Sequence, residues 1–232
     1  MTASNTIAEP RGTRATLKAD ATRSRIYEVA LQLFRERGFE QTTMRDIARQ
    51  ADVALGAAYY HFGSKDAIVL AFYREMKERG HQPTLDALAK HRKLRDRIRV
   101  VLEKRFDLLA PNLKFLGALF KHSPDADDPL SPFSEQNKPI RDEALELFST
   151  ALDGADVKVP PDLALHLPRL LWMYHLSLIL FWIYDRSEEK KSTMLLMDKS
   201  LSLIATLIRI SGLPLMRPVR RSVLEVLKVA AV

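Results

Sequence analysis

Apolar residues recur at intervals of three and four along most of this 232-residue chain, which is the spacing of helices packed on one side. One such stripe contains Ile26, Val29 and Leu33, and another contains Ile98, Val101 and Leu102. No segment of useful length alternates as a β-strand would. The pattern therefore predicts an all-α fold.

The predicted helices are separated by clear breaks. Gly38 is expected to end the first helix in a left-handed conformation, Thr43 to begin the second with Asp46 completing a capping box, and Ser64 to cap a long fourth helix. The expected helices cover approximately residues 21–37, 43–50, 54–60, 65–89, 91–110, 113–121, 140–152, 162–184, 187–210 and 219–230. Residues 123–139, which contain four prolines, are expected to form a loop with at most one helical turn.

These breaks predict three regions. Residues 1–21 are expected to be a disordered basic tail, residues 22–66 a three-helix head, and residues 67–232 a larger helical domain. Five basic residues face one acid, Asp20, within residues 11–25. This excess fits either a solvated tail or an arm that contacts DNA phosphates or the minor groove, and for residues 16–25 the two interpretations are equally good.

Composition narrows the setting of the protein. The formal charge is +7, and a positive charge is attracted to phosphate. The absence of cysteine suits a reducing cytoplasm. We find no secretory signal, and the most apolar run, residues 170–184, is short for a spanning helix and contains His175. We therefore predict a cytoplasmic protein without a membrane partner.

Residues 42–65, TTMRDIARQADVALGAAYYHFGSK, have the pattern of a short helix, a turn, a second short helix and the start of a third. Helix-turn-helix recognition of DNA requires a small rigid core that holds one helix so that its first turn meets base edges. The expected inward-facing residues are Ile26, Val29, Leu33, Ile47, Ala48, Val53, Ala58 and Phe62. Small, apolar, glycine-containing residues at the start of the second short helix allow close approach to the major groove.

The segments FRERGFEQTTMRDIA and ADVALGAAYYHFGSKDAI resemble the tetracycline-repressor (TetR/AcrR) family of bacterial transcription regulators. The resemblance covers about residues 22–70. It implies an N-terminal DNA-binding head with a helix-turn-helix and a larger C-terminal domain for ligand binding and dimerisation. It further implies a homodimer on a palindromic double-stranded operator, usually a repressor released by a small molecule.

The same resemblance assigns roles to nine residues. It places Arg45 at base edges or phosphate. The groove contacts would be Leu55, Gly56, Ala57 and Tyr59, and the DNA-backbone contacts Thr43, Tyr60, His61 and Lys65. Each has a simpler alternative: Arg45 and Lys65 could be solvated charges, Tyr59 and Tyr60 could pack locally, and His61 could bond a nearby backbone group.

One departure concerns the start of the reading helix. The family often has Ser, Thr or Lys where this chain has Ala54, Leu55 and Ala57. The missing hydroxyl cap is expected to cost roughly 1 kcal/mol of helix stability. We expect apolar contacts to thymine methyl groups, with Arg45 contacting guanine.

The remaining helices offer a dimer surface and a ligand cavity. Residues 162–184 and 187–210 are both rich in apolar positions, which fits either burial within a monomer or, as we favour, a four-helix interface between two subunits. An apolar, aromatic cavity for a small hydrophobic or aromatic effector is expected among residues 95–185. Its candidate wall residues are Phe106, Leu109, Phe115, Phe120, Trp172, His175 and Trp182. For any single one of them an ordinary core position is the simpler alternative, and His175 could be a core histidine with a hydrogen-bond partner.

No catalytic motif stands out. The sequence contains no glycine-rich phosphate loop, nucleophile elbow or zinc-helix motif, and its six histidines do not pair with carboxylates at metal-ligand spacing. We predict that the chain is not an enzyme and needs no metal or cofactor. The alternative function is a helical protein-interaction module whose head has lost specific DNA binding.

Overall fold

The computed structural model describes residues 11–120 and 125–229, with side chains from Thr16 onward. All regular elements within these two ranges are helices, which confirms the all-α prediction. The chain divides into two compact units between Val69 and Leu70, three residues beyond the expected boundary.

Within the described residues 11–69, the first unit has three helices and the beginning of a fourth. These are α1 (Arg11–Arg37), α2 (Met44–Gln50), α3 (Leu55–His61) and the first turn of α4 (Lys65–Leu88). Six of the eight residues predicted to face inward are buried, and Val29 and Val53 are half-buried. The buried apolar core of this unit comprises Ile26, Ala30, Leu31, Leu33, Phe34, Phe39, Met44, Ile47, Ala48, Ala51, Ala58, Phe62, Ile68 and Val69.

The start of α1 corrects the prediction of a disordered tail. Helix α1 begins at Arg11, so disorder was the wrong expectation for residues 11–21, and residues 1–10 lie outside the described part. The segment contains three alanines and three basic residues, which favour helix without burial. Leu17 is 65% exposed, so this part of the helix lacks the buried apolar stripe from which a helix is predicted.

Two local predictions for the head are confirmed. Gly38 has φ +91° and its backbone N–H donates to the carbonyl of Phe34, so α1 ends as expected. The hydroxyl of Thr43 accepts from the backbone N–H of Asp46 at 3.1 Å, and the Asp46 carboxylate accepts from the Thr43 backbone N–H at 3.1 Å. This capping box begins α2.

In the second unit, residues 70–120 and 125–229 form the rest of α4 and seven further helices. These are α5 (Leu94–Leu109), α6 (Leu113–Leu119), α7 (Lys138–Asp153), α8 (Pro161–Ala164), α9 (Leu167–Tyr184), α10 (Lys191–Ser211) and α11 (Arg217–Val229). Short 3-10 turns lie at Ala110–Asn112, Glu135–Asn137, Glu188–Lys190 and Pro214–Met216. Helix α7 packs against both α5 and α9, and α10 packs against α5 and α9, so the core lies between these four helices.

Two predicted helix boundaries were wrong. The expected helix over residues 162–184 is broken into α8 and α9, because Pro168 lacks a backbone N–H and is tolerated only in a first turn. Helix α10 begins at Lys191 rather than near residue 187, after Glu189 and Lys190 adopt positive φ values of 50° and 58°. Asp185 caps the new start by accepting from the backbone N–H of Thr193 at 2.8 Å.

A buried arginine joins the ends of two helices. Arg97 is 6% exposed, and its guanidinium donates to carbonyls at the end of α4 and just beyond it (Leu88, 2.7 Å; His91, 2.8 Å). It also donates to the carbonyls of Thr150 at 2.7 Å and Ala151 at 2.8 Å, near the end of α7. A cation is favourable at helix C-termini, and Gly154 leaves space for this one.

Candidate nucleic-acid interface and ligand cavity

The turn between α2 and α3 is a tight, hydrogen-bonded connection. The Ala51 backbone N–H donates to Ile47 at 2.8 Å, and the Val53 N–H donates to Ala48 at 3.0 Å. Asp52 has φ 51°, a left-handed conformation that aspartate tolerates better than most residues. The turn therefore holds α3 at a defined angle on the small core.

Helix α3 has one buried side and one open side. Ala58 is fully buried, and Phe62, directly after the helix, is 3% exposed. On the open side, Leu55, Tyr59 and Tyr60 are 37%, 50% and 84% exposed. These large side chains contribute little to the core of the head and stand where a partner can reach them.

The start of α3 is small and uncapped. Ala54 stands at the N-cap without a side-chain hydrogen bond, as the sequence predicts. A Cβ atom added at Gly56 would meet nothing within 4 Å, so the packing of the chain itself does not require glycine there. Gly56 is exposed and Ala57 is half-exposed, which leaves a low, apolar surface beside the tyrosines.

Thr43 and Arg45 flank this surface from α2, and both are exposed. The Thr43 hydroxyl lies 2.6 Å from the Asp46 carboxylate. Hydrogen bonds from the Thr43 side chain, then its backbone, together with the charge of Arg49, lower the pKa of Asp46. Asp46 is therefore a stable anionic cap.

Lys65 is positioned by contacts inside the head. Its ammonium donates to the Phe39 carbonyl at 2.7 Å and lies 4.3 Å from the centre of the Phe39 ring. The side chain is half-buried, so the lysine is less mobile than the solvated charge considered from the sequence. His61 is also half-buried, with its ring 5.3 Å from that of Tyr60.

The sequence placed Arg23 in the basic segment 11–25, as either a solvated charge or part of an arm that contacts phosphates, but did not place it beside α3. Its guanidinium lies 4.6 Å from the centre of the Phe62 ring, which places a positive charge beside the end of α3. The available signal was its position one turn before buried Ile26 on the same helix. Arg23 belongs with the exposed surface of α3 as a candidate phosphate contact.

The second unit contains a cavity of about 130 Å³ between α4, α5, α6, α7, α9 and the loop before α7. Leu109, Phe120, Trp172 and His175, four of the predicted wall residues, line it. The other wall residues are Tyr73, Met76, Arg105, Leu108, Leu116, Leu119, Pro132, Asn137, Ile140, Arg141, Ala144, Leu176 and Ile179.

The other three predicted wall residues lie in the packed core and do not line this cavity. Phe106 and Trp182 contact each other, with their ring centres 4.9 Å apart, and Phe115 packs edge-on against Phe72 at 5.5 Å. All three are at most 5% exposed. The sequence could not separate wall from core because both use aromatic residues at helical spacing.

Two buried polar side chains of the cavity have atoms without a hydrogen-bond partner. Both ring nitrogens of His175 and the Oδ1 atom of Asn137 are in this state, although the residues are 6% and 3% exposed. Burial first, and then the charge of Arg105, lowers the pKa of His175 to about 3. The imidazole is therefore neutral near pH 7.

The two cations at the cavity are already engaged. Arg105 forms an ion pair with Glu143, a carboxylate 4% exposed that also contacts His81 at 3.1 Å. Arg141 donates to the carbonyls of Pro132 at 3.0 Å and Ser134 at 3.1 Å. The cavity thus combines apolar walls, two engaged guanidinium groups and unpartnered polar atoms on Asn137 and His175.

Helices α9 and α10 expose an apolar surface, which we call the α9–α10 face. Its members are Met173, Leu180, Phe181, Tyr184, Leu195, Leu196, Leu203 and Leu207, which are 37% to 71% exposed. Eight exposed apolar side chains on two neighbouring helices make this face a candidate interaction surface.

Helix α9 is the one described helix whose length and mean hydropathy of 1.2 would allow it to cross a membrane. Core helices of water-soluble domains meet the same criterion, and the buried side of α9 packs against α7 and α6. Its composition alone therefore does not indicate membrane insertion. Among the described residues, no group of three or more histidines and acids is arranged to hold a metal ion.

Comparison with known proteins identifies both regions. Residues 26–72 match the model of bacterial regulatory proteins of the tetR family, and residues 97–227 match the tetracyclin repressor-like C-terminal domain. The chain is 36% identical over 62 residues to the HTH-type transcriptional regulator UidR of Escherichia coli K12. It is 41% identical over 61 residues to the regulator TtgR of Pseudomonas putida. These alignments cover 27% and 26% of this chain and 32% and 29% of the relatives.

Solved structures share the fold at low identity. A TetR-family regulator from Syntrophomonas wolfei has a TM-score of 0.62 at 18% identity, covering 81% of this chain and 96% of that one. The regulator FadR from Bacillus subtilis, solved with stearoyl-CoA, has a TM-score of 0.59 at 18% identity, covering 82% and 98%. Because the two family models together account for the helix-turn-helix head and most of the second unit, the chain belongs to the TetR family of bacterial transcriptional regulators.

Proposed function

We propose that this protein acts in the cytoplasm as a ligand-responsive repressor, binding a palindromic DNA operator as a homodimer and leaving it when a small hydrophobic or aromatic effector binds. The observation that carries the proposal is the open side of α3, where large exposed side chains surround a small glycine-containing surface. A helix presented in this way fits the major groove of DNA.

Within this proposal the nine residues divide by chemistry. Leu55, Gly56, Ala57 and Tyr59 meet the groove, where apolar side chains recognise thymine methyl groups, and Arg45 reads guanine. The polar residues Thr43, Tyr60, His61 and Lys65 contact phosphates and set the register. Lys65, held by Phe39, has further donors available for an anion.

Homodimerisation follows from the symmetry of the target. A palindrome offers two half-sites, which are read by two heads related by a two-fold axis. The α9–α10 face supplies an exposed apolar surface, and two copies of it would form a four-helix interface.

Release is proposed to follow from two-state coupling. The operator favours one separation of the heads, and an effector in the second unit favours another. The boundary between the units falls within the continuous helix α4, which is therefore the candidate transmitting element. Such coupling typically amounts to about 1–3 kcal/mol.

The direct test is fluorescence anisotropy of the full chain with a palindrome from beside its own gene. We expect specific, salt-sensitive binding that Arg45→Ala weakens about ten-fold or more at matching half-sites while reducing sequence preference. Arg79→Ala, an exposed arginine of α4, is the control of equal charge and should bind normally. Equal binding of all DNA sequences, or none, would favour the protein-interaction alternative.

Repression and activation are separated by transcription in vitro from the same operator. A repressor lowers transcript yield when added, and the effector restores it. Higher yield on adding the protein would contradict the repressor assignment while leaving DNA binding intact.

A further inference from the structure

We propose that the cavity lined by Asn137, Trp172 and His175 takes a compact, uncharged ring bearing a hydroxyl group, of the phenol type, in preference to an anionic or long-chain ligand. This deepens the proposed function, because it names the chemical class of the effector on which that regulation depends.

The size of the cavity limits the size of the ligand. The cavity measures about 130 Å³. An engineered apolar cavity of roughly 150 Å³ in another protein accommodates benzene. A single six-membered ring therefore fits within this space, whereas most of a long acyl chain would have to lie outside it, because the cavity is open to solvent.

The walls select an apolar, ring-shaped body. They are formed largely by leucine, isoleucine and methionine side chains together with the aromatic rings of Tyr73, Phe120 and Trp172. Aromatic rings stack on or meet other rings edge-on with a preference beyond simple burial. An unsubstituted hydrocarbon would satisfy these walls but not the polar atoms among them.

The unpartnered polar atoms of Asn137 and His175 need hydrogen-bond partners. Asn137 directs its amide nitrogen to the carbonyls of Pro129 at 3.0 Å and Ser131 at 2.9 Å, which leaves Oδ1 as an acceptor. Neutral His175 has one nitrogen that donates and one that accepts, both without a partner. A hydroxyl both donates and accepts, whereas a carboxylate donates nothing.

The charged side chains at the cavity also favour an uncharged ligand. The Arg105 cation is compensated by buried Glu143, and Arg141 already donates to two loop carbonyls. An entering carboxylate would gain no donor from the Asn137 amide nitrogen, which already donates to two carbonyls, and no positive charge from the neutral His175. Arg141 is the one group that could favour an anion, because Glu135, the acid nearest to it, is 4.0 Å away and 88% exposed.

Calorimetric titration of the full chain, without DNA, compares phenol, toluene, benzoate and decanoate. We expect phenol to bind about ten-fold more tightly than toluene, a difference of about 1.4 kcal/mol, since toluene has the same size but no donor. Tightest binding by benzoate would assign the site to Arg141, and tightest binding by decanoate would show that the cavity enlarges. Equal binding of phenol and toluene, or binding of neither, would equally overturn the proposal.

Variants of His175 connect the preference to the cavity. His175→Leu should bind toluene at least as well as the parent chain but retain less than a three-fold preference for phenol. His175→Gln keeps a donor and an acceptor and should preserve the preference, which also covers the case that the leucine variant fails to fold. Ser177→Ala, an exposed hydroxyl on the same helix, should change nothing. An unaltered preference in His175→Leu would remove the histidine from the site.

Failure of this inference differs from failure of the proposed function. If the chain binds its operator but shows no phenol preference, the ligand class is wrong and DNA recognition stands. If it prefers phenol yet keeps the operator bound at saturating phenol, the ligand class is supported and the release mechanism is contradicted.

Discussion

Arg97 and His175 are buried polar residues of the same unit with opposite surroundings. Arg97 places four hydrogen bonds on carbonyls at or near the ends of two helices, whereas the ring nitrogens of His175 have no partner. Buried polar groups are normally hydrogen-bonded, so an unpartnered one is better explained by a function than by stability. The two residues therefore lead to different experiments.

Replacing Arg97 should weaken the fold. Arg97→Met removes the cation but leaves four carbonyls near helix ends without their donor, so the free energy of unfolding should fall by about 3 kcal/mol. Urea denaturation followed by circular dichroism measures it. Arg92→Met, a nearby exposed arginine, serves as the control and should change stability by less than about 0.5 kcal/mol. Equal effects of the two substitutions would refute the role of Arg97.

The neutral state of His175 should appear in the pH dependence of stability. The native imidazole resists protonation down to a pKa of about 3, whereas the unfolded one takes a proton near 6.5. The unfolded state thus binds more protons in this window, and the free energy of unfolding should fall as pH drops below 6.5. The slope reaches at most about 1.4 kcal/mol per pH unit.

His175→Leu is the matched comparison for this pH effect. Urea denaturation of both proteins between pH 7 and pH 4.5 should give a smaller slope for the leucine variant, since its other titrating groups are unchanged. Parallel curves would mean that the histidine is protonated in the native state or that its contribution is absent.

The two residues were not equally predictable from the sequence. His175 stands out because it interrupts an apolar run, and its position in the cavity agrees with the prediction. Arg97 lies among several charged neighbours, and only its place on the stripe of Leu94, Ile98 and Val101 distinguishes it. Which carbonyls it reaches depends on the packing of α5 against α7, which no local pattern encodes.

At the level of elements, α3 is a seven-residue helix that lacks a side-chain cap. Helices this short have little intrinsic stability and rely on tertiary packing. Here the packing comes from buried Ala58 and from Phe62, whose ring is stacked at 6.3 Å from that of Tyr27. The reading helix is therefore held by its far end, and its first turn is the weaker part.

A hydroxyl at the N-cap should strengthen that first turn. Ala54 already has the extended conformation of an N-cap (φ −63°, ψ 144°), so Ala54→Ser should stabilise the head by about 1 kcal/mol. Hydrogen exchange of the α3 amides reports this local gain. Ala57→Ser places the same hydroxyl inside the helix and should give none. Equal protection in both variants would contradict the capping argument.

Helix boundaries were predictable where side chains mark them locally. The capping box of Thr43 and Asp46 and the left-handed Gly38 are both legible in the sequence. The break between α8 and α9 was legible in principle from Pro168. The start of α10 was not predictable from the sequence, because Asp185 caps it by bonding Thr193, eight residues further along the chain. The two residues with positive φ that precede α10 are charged residues rather than glycine.

At the scale of the whole molecule, the exposed α9–α10 face is the feature that favours a dimer over a monomer. Burial in one chain covers Trp172, Leu178 and Leu201 but leaves the apolar residues of this face open to water. Specific dimers bury about 1,200–2,000 Å² in total, which two such helix pairs can supply.

A charge placed on that face should separate the subunits. The parent chain should sediment at about twice its mass of 26.4 kDa, and Leu203→Glu should shift it to the monomer. Leu17→Glu changes a leucine of similar exposure on α1 and should leave the mass unchanged. A monomeric parent chain, or a dimeric Leu203→Glu variant, would exclude this face as the interface.

The fold class followed from apolar periodicity, and the family followed from a short segment of the head. The ligand cavity was only partly predictable. Leu109, Phe120, Trp172 and His175 line it, while Phe106, Phe115 and Trp182 are core, because the direction of a side chain on a helix buried on several sides depends on all its neighbours. The second unit is thus specified by packing rather than by motif.

The close approach of Gly154 to Arg97 has a consequence for how this chain can change over generations. A Cβ at position 154 would lie 2.2 Å from one guanidinium nitrogen and 2.5 Å from its central carbon, and hydrogen bonds hold that group on every side. A lineage that acquires alanine at 154 must therefore have lost or displaced the arginine at 97. Among descendants of this sequence, substitutions at positions 97 and 154 should therefore occur together.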